Sequence, residues 1–274
     1  PIAWGGFVLY GESGPLSRFD GIKPLTVLKL NMDNRTPPKP TPAEQAEALI
    51  VLGQAATSQN VQAAIDMLTE ALTVEAIPQG LVARAHLYRG IAYRKRGVAK
   101  TTEREDFSVV FNHLAVADFS SALEIAYTPQ QRAILLQNRA TLRNTVGNWV
   151  EALEDVNEVL GTPGSPEEQR IDAMLLKAQI EIAHWNNDAG EADAQLVLDR
   201  VDSPVSRATA YLLLAHSRKN CGDPMTARGH IDAIRAMSQI PQWLQQEADK
   251  LWESMQGVTP RLMPREMEGQ VSDG

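Results

Sequence analysis

Five times between residues 43 and 240, a stretch with apolar residues at helical spacing is followed, after a turn, by a second such stretch. The first stretches centre on Leu52, Gly90, Ala140, Ala178 and Ala215, which lie 38, 50, 38 and 37 positions apart. A period of about 35–40 residues means stacked helix pairs, because one pair cannot bury its apolar face alone and needs neighbours. The chain is therefore expected to be all-α.

Local signals agree with the period. After Ala215, Cys221-Gly222-Asp223-Pro224 ends one helix, and Ala227, Ile231 and Ile234 follow at i, i+4 and i+7 as one buried stripe. After Ala140, the turn Gly147-Asn148-Trp149, which Trp149 is expected to fill, leads into Ala152, Leu153, Val156, Val159 and Leu160. In both pairs the small residue of the first helix precedes the alanine of the second by 12 positions. Two antiparallel helices approach closely where neither carries a large side chain. Leu52 and Ala64 repeat the separation, and Ala71 continues the register.

Leu87-Tyr88-Arg89-Gly90-Ile91-Ala92-Tyr93-Arg94-Lys95-Arg96-Gly97 and Ala115-Val116-Ala117-Asp118-Phe119-Ser120-Ser121-Ala122-Leu123-Glu124 resemble the tetratricopeptide repeat family, across residues 43 to 240. The resemblance implies a right-handed α-solenoid of five helix pairs that acts as a scaffold and holds a protein or peptide segment. Two departures are expected: about 13 extra residues within Val98 to Asn112, and about two near Asn186 to Gly190. The polar run Lys100-Thr101-Thr102-Glu103-Arg104-Glu105-Asp106 should project as a loop or lengthen a helix, and is a candidate partner contact. After Pro241, residues Trp243, Leu244, Ala248, Leu251 and Trp252 make a last amphipathic helix that covers the open end of the stack. Solenoid and capping helix thus occupy 43–257, and 258–274 reads as a disordered tail with no apolar period.

Residues 1–36 lack helical period. Gly5-Gly6-Phe7-Val8-Leu9-Tyr10-Gly11 and Thr26-Val27-Leu28-Lys29-Leu30 read as two short strands, and Pro37-Pro38-Lys39-Pro40-Thr41-Pro42 as an extended linker over 37–42. The stretch Pro1-Ile2-Ala3-Trp4-Gly5-Gly6-Phe7-Val8-Leu9-Tyr10-Gly11 resembles the closing strand of the CHAT domain, a caspase-like cysteine peptidase fold. That resemblance implies association with a caspase-like domain whose His and Cys lie upstream, and makes this chain its regulatory part. A small hairpin, or packing along the first pair, suits residues 1–30 equally well. Pro1 in place of Met fits removal of an initiator methionine or a longer parent chain.

A net charge of -8 argues against nucleic acid, since phosphate binding needs clustered Lys and Arg. A lone cysteine, Cys221, forms no internal disulfide and fits a reducing, cytoplasmic setting. No apolar run approaches the roughly 18 residues that span a bilayer. Reactive constellations are incomplete. Glu181 and His184 share a helical face at i and i+3, but a di-metal site needs a second Glu-x-x-His and two more carboxylates. His216 and Cys221 have no third group to orient an imidazole, and no phosphate-cradling glycine motif occurs. Neither a cofactor nor a metal is expected.

Arg84, Arg89, Arg94, Lys95, Arg96 and Lys100 fall within residues 76–102 with no acidic residue among them. They form a basic patch for an acidic peptide, or a face neutralised by Glu151, Glu154, Asp155 and Glu158 of the next pair. In the repeat family the first helices line the groove. By that resemblance the partner-binding candidates are Arg84, Tyr88, Arg94, Lys95, Gln137, Asn138, Thr141, Asn144, Gln179, His216, Lys219 and Asn220. Family members that clamp a C-terminal carboxylate carry Lys and Asn where this chain has Leu87 and Ile91, so that clamp is not implied.

Overall fold

The structure, a computed structural model, describes residues 40–98, 106–126 and 128–256. These form eleven helices, with no strand among the described residues. In order they are α1 (Pro42–Ala56), α2 (Val61–Thr73), α3 (Gln79–Val98), α4 (Asp106–Ile125), α5 (Pro129–Thr145), α6 (Trp149–Gly161), α7 (Glu167–Ala183), α8 (Asn187–Arg200), α9 (Pro204–Asn220), α10 (Pro224–Arg235) and α11 (Gln242–Met255). The strands expected within 1–30, the CHAT-like stretch, Lys100 and the tail 258–274 lie outside the described residues. The proline-rich linker ends earlier than expected. Thr41 caps α1 through a capping box with Glu44, and Pro42 is the first helical residue, where its missing N–H costs nothing.

The contacts divide the chain after Leu176, within α7, into two compact units. In the first, α1 packs on α2 and α3, and each helix from α2 to α5 packs on its successor. In the second, α8 packs on α9, α9 on α10, and α11 on both α9 and α10. The expected stripes are the buried ones: Ala152, Val156 and Val159 on α6, Ala227, Ile231 and Ile234 on α10, and Leu244 and Ala248 on α11 are all 0% exposed. Leu251 completes the α11 stripe, while Trp252 lies beneath the guanidinium groups of Arg228 and Arg235.

Two register assignments are corrected. Leu52 is 55% exposed, and its neighbour Gly53 is the buried residue at which α1 meets α2. A Cβ on Gly53 would stand 2.7 Å from Leu68 Cγ, as one on Gly90 would stand 2.7 Å from Phe119 Cε1. The small residues of the first helices are thus Gly53, Gly90, Ala140, Ala178 and Ala215. Nor does the fourth pair hold an insertion: Gly190 follows Ala178 by 12, and its Cα passes so close to α7 that a Cβ would meet Ile182 Cγ1 at 2.5 Å. The partner positions on the second helices are Ala64, Ala115, Ala152, Gly190 and Ala227.

The turns within the last three pairs repeat as well. Asn148, Asn186 and Asp223 each donate a backbone N–H to the carbonyl five residues earlier, at Arg143, Glu181 and Arg218. The residue before each donor is left-handed: Gly147 (φ 90), Trp185 (φ 66) and Gly222 (φ 76). Trp149 does not fill its turn; it opens α6 and is 39% exposed. The described part of the long insertion of the second pair is helix. Gly53 and its equivalents apart, α3 runs three residues further past its small residue than α5 does, and α4 has six more residues before Ala115 than α6 has before Ala152.

Candidate protein-binding face

Most expected groove residues are half-buried, which places them neither in the core nor in free solvent. In the first unit, Arg94 on α3 donates from Nη1 to Asn138 Oδ1 on α5 at 2.6 Å, and Asn138 Nδ2 donates to the Ile134 carbonyl at 2.8 Å. This pair joins two consecutive first helices through side chains that both stood among the candidates. Beside Asn138 in sequence, Gln137 Nε2 donates to the Gln169 carbonyl on α7 at 2.5 Å, and Thr141 Oγ1 donates to the Gln137 carbonyl. Arg84 lies 3.7 Å from the Glu47 carboxylate of α1. Lys95 and Asn144 are half-buried on the same helices. Tyr88 differs: at 3% exposure it belongs to the core of the first unit.

In the second unit, Lys219 Nζ donates to Ser254 Oγ on α11 at 2.7 Å, and Asn220 Nδ2 donates to the Ile182 carbonyl and to Asn187 Oδ1 at 3.4 Å each. Gln179 is half-buried. His216 is largely buried; desolvation, with the Lys219 charge adding to it, pulls its pKa down to about 4 and leaves the imidazole neutral at pH 7. Glu181 faces Lys177 at 3.7 Å, and burial raises its pKa. Among the described residues no group of three metal-ligating side chains occurs.

The basic stretch is partly neutralised, and by helices other than the expected one. Asp118 of α4, 4% exposed, accepts from Arg89 Nε at 2.9 Å and Nη2 at 2.7 Å and lies 2.8 Å from His86 Nδ1. Asp155, expected to answer the stretch, is instead taken by Arg139 (2.7 and 3.0 Å) and Arg143 (2.8 Å), and Glu158 by Arg132. Arg96 lies over the Phe111 ring at 5.9 Å.

These pairs follow a rule that sequence reasoning missed. Arg89, Arg139 and Lys177 each immediately precede the small residue of a first helix. Their carboxylates, Asp118, Asp155 and Asp193, each lie three residues after the small residue of the second helix. The signal was present as Arg-Gly, Arg-Ala and Lys-Ala, answered by Ala-x-x-Asp, Ala-x-x-Asp and Gly-x-x-Asp. A second recurring joint links one pair to the next. Arg132 Nη1 donates to the Leu123 carbonyl at 3.5 Å and Arg207 Nη1 to the Leu198 carbonyl at 2.8 Å, each satisfying the exposed carbonyl end of the preceding second helix.

Several buried polar atoms stay unsatisfied, those of Gln169 among them. Gln169 is 0% exposed, and both atoms of its side-chain amide lack a hydrogen-bond partner. Its equivalent in α5, Gln131, reaches back to the backbone N–H of the cap residue Thr128. In α7 the cap position holds Pro166, whose carbonyl accepts from Arg170 and which has no N–H to offer. On the next turn, burial and the Glu168 charge push the Asp172 carboxyl up to about 6.

The chain matches no family model and no curated protein.

Proposed function

We propose that the helix pairs stack as a right-handed tetratricopeptide-like solenoid, and that the chain is a non-enzymatic scaffold whose first helices hold an extended protein segment. The Arg94–Asn138 bond between consecutive first helices carries this reading. It presents a cation and an amide together, half-buried, between two consecutive first helices. Gln137 and Thr141 extend that polar surface with further donors and acceptors. Amide side chains of this kind pair with the backbone of an extended segment, while Arg84, Arg94 and Lys95 favour an acidic one. The recurrence of the Arg132 and Arg207 joints supports stacking of like units.

The test is a pull-down comparing the native chain with the fourfold variant R84A/R94A/N138A/K219A, both checked for native circular dichroism. Loss of a stoichiometric protein partner from the variant is the expected result. A partner retained undiminished by the variant overturns the first-helix reading, and the absence of any protein partner overturns the scaffold.

A further inference from the structure

In the first unit, each interior cation bridges two second helices. Arg89 lies between Thr69 Oγ1 of α2 (3.2 Å) and Asp118 of α4 (2.7 Å). Arg139 lies between Ser120 Oγ of α4 (3.1 Å) and Asp155 of α6 (2.7 Å). The three positions are invariant in register: the cation one residue before the small residue of the first helix, the hydroxyl five after that of the preceding second helix, the carboxylate three after that of its own. In the α8–α9–α10 joint the same positions hold Leu214, Gln195 and His230. All three line a cleft of about 490 Å³, together with Asp188, Glu191 and Arg218. The space is within the range of small-ligand sites. Where the earlier joints place the chain's own guanidinium, this one has an aliphatic floor and an opening.

The charges around the opening have rearranged accordingly. Arg143, which stands at the register position of Arg218, reaches the carboxylate of its own second helix. With His230 in that place, Arg218 turns to Glu191 of the preceding helix, which also accepts from Ser217 Oγ at 2.6 Å. Burial and the nearby Arg218 charge lower the His230 pKa, so the imidazole is neutral at pH 7. Asp188 has no ion-pair partner among the described residues. The cleft therefore carries one carboxylate in excess, one apolar floor, and an aromatic ring and an amide oxygen at its walls.

We propose that this cleft binds the guanidinium of an arginine side chain supplied by a partner protein, seated over Leu214 as Arg89 and Arg139 are seated in their own joints. A guanidinium matches the lining better than an ammonium does. Its planar fork pairs in a bidentate, charge-assisted way with the Asp188 carboxylate, and its face stacks on an imidazole, whereas an ammonium is a strongly hydrated point charge. The proposal does not depend on the first-helix reading, since the lining residues come chiefly from α8 and α10 and include none of the twelve candidates of the first helices.

The experiment titrates Nα-acetyl-arginine amide into the isotopically labelled chain at pH 7 and follows backbone amide resonances. Saturable shifts confined to the surroundings of Gln195, Leu214, Arg218 and His230 are expected, with a dissociation constant on the order of 1–10 mM for a single side chain. Asp188 is exposed, so Asp188→Asn leaves the fold intact and should weaken binding by at least about fivefold. L214R, which restores the cation of the other joints, should abolish it. The R84A/R94A/N138A/K219A chain should bind unchanged. The citrulline analogue, equal in shape and uncharged, should fail. No saturable shift, equal binding of citrulline or lysine analogues, or full binding by D188N overturns the proposal.

Discussion

Gly190→Ala isolates the closest helix approach in the second unit. The new methyl carbon would stand 2.5 Å from Ile182 Cγ1, 3.1 Å from its Cδ1 and 2.9 Å from the Ala178 carbonyl oxygen. Carbon atoms in contact settle at about 3.5–4.0 Å, so α8 must move by about 1 Å or Ile182 must leave its position. Ile182 is 1% exposed and has little room, and the Ala178 carbonyl belongs to the backbone of α7 and cannot rotate away. Overpacking of this kind costs about 1–3 kcal/mol. Against it stands the gain of about 0.5–1 kcal/mol from replacing a helical glycine by alanine. The net expectation is destabilisation by about 1–2 kcal/mol. Gly229→Ala, in the interior of α10, is the control: nothing lies within 4 Å of its added carbon, so only the propensity gain remains, about 0.5–1 kcal/mol of stabilisation. Urea unfolding followed by circular dichroism should therefore move the midpoint down for G190A and up for G229A. The double variant G190A/I182A should lose less than the sum of its single changes, because truncating Ile182 relieves part of the clash. A G190A chain as stable as G229A would refute the close approach of α7 and α8.

Trp185 is 64% exposed and holds the left-handed turn position that glycine occupies at 147 and 222. Non-glycine residues pay about 1–2 kcal/mol for that conformation, so W185G should raise the urea midpoint, and a lowered midpoint would mean that the indole contributes packing exceeding the strain. Asp172 has a folded pKa near 6, above its unfolded value, so its proton is held more tightly in the folded state and its ionised form destabilises the fold at pH 7. Asp172→Asn should be more stable than the native chain at pH 7 by up to roughly 3 kcal/mol, with the difference shrinking between pH 6 and pH 4; midpoints measured from pH 4 to pH 8 check this, and a constant difference would exclude it.

The helix pairs were legible because their signals are local. Ala227, Ile231 and Ile234 announce a buried stripe by spacing alone, and Cys221-Gly222-Asp223-Pro224 announces the turn before it. The same spacing does not resolve neighbours within a stripe. An apolar face about 100° wide admits both Leu52 and Gly53, and only the approach of Leu68 identifies the glycine. Trp185 hid the turn of the fourth pair for a related reason: glycine marks a left-handed position, and a tryptophan there gives no such mark, so a shift of two residues looked like an insertion. Where each candidate side chain goes was not legible residue by residue. Tyr88 and Arg94 both lie on α3, yet one enters the core and the other reaches Asn138, and the difference depends on where α5 lies.

What the sequence by itself determined is the repeating helix, turn and helix, because helical period, capping and turn chemistry act over a few residues. Tertiary structure decided which charges are spent inside the protein. Asp118 stood in the sequence only within a repeat-like stretch and Asp155 was expected to answer the basic stretch of the preceding pair, yet each is nearly buried beneath an arginine 29 or 16 residues away. Ion pairing requires two side chains within a few ångströms, and that distance is set by helix packing. The same holds for Leu214 and His230: ordinary residues in their own helices, they become notable only where the packing puts them in the place of a cation and its carboxylate.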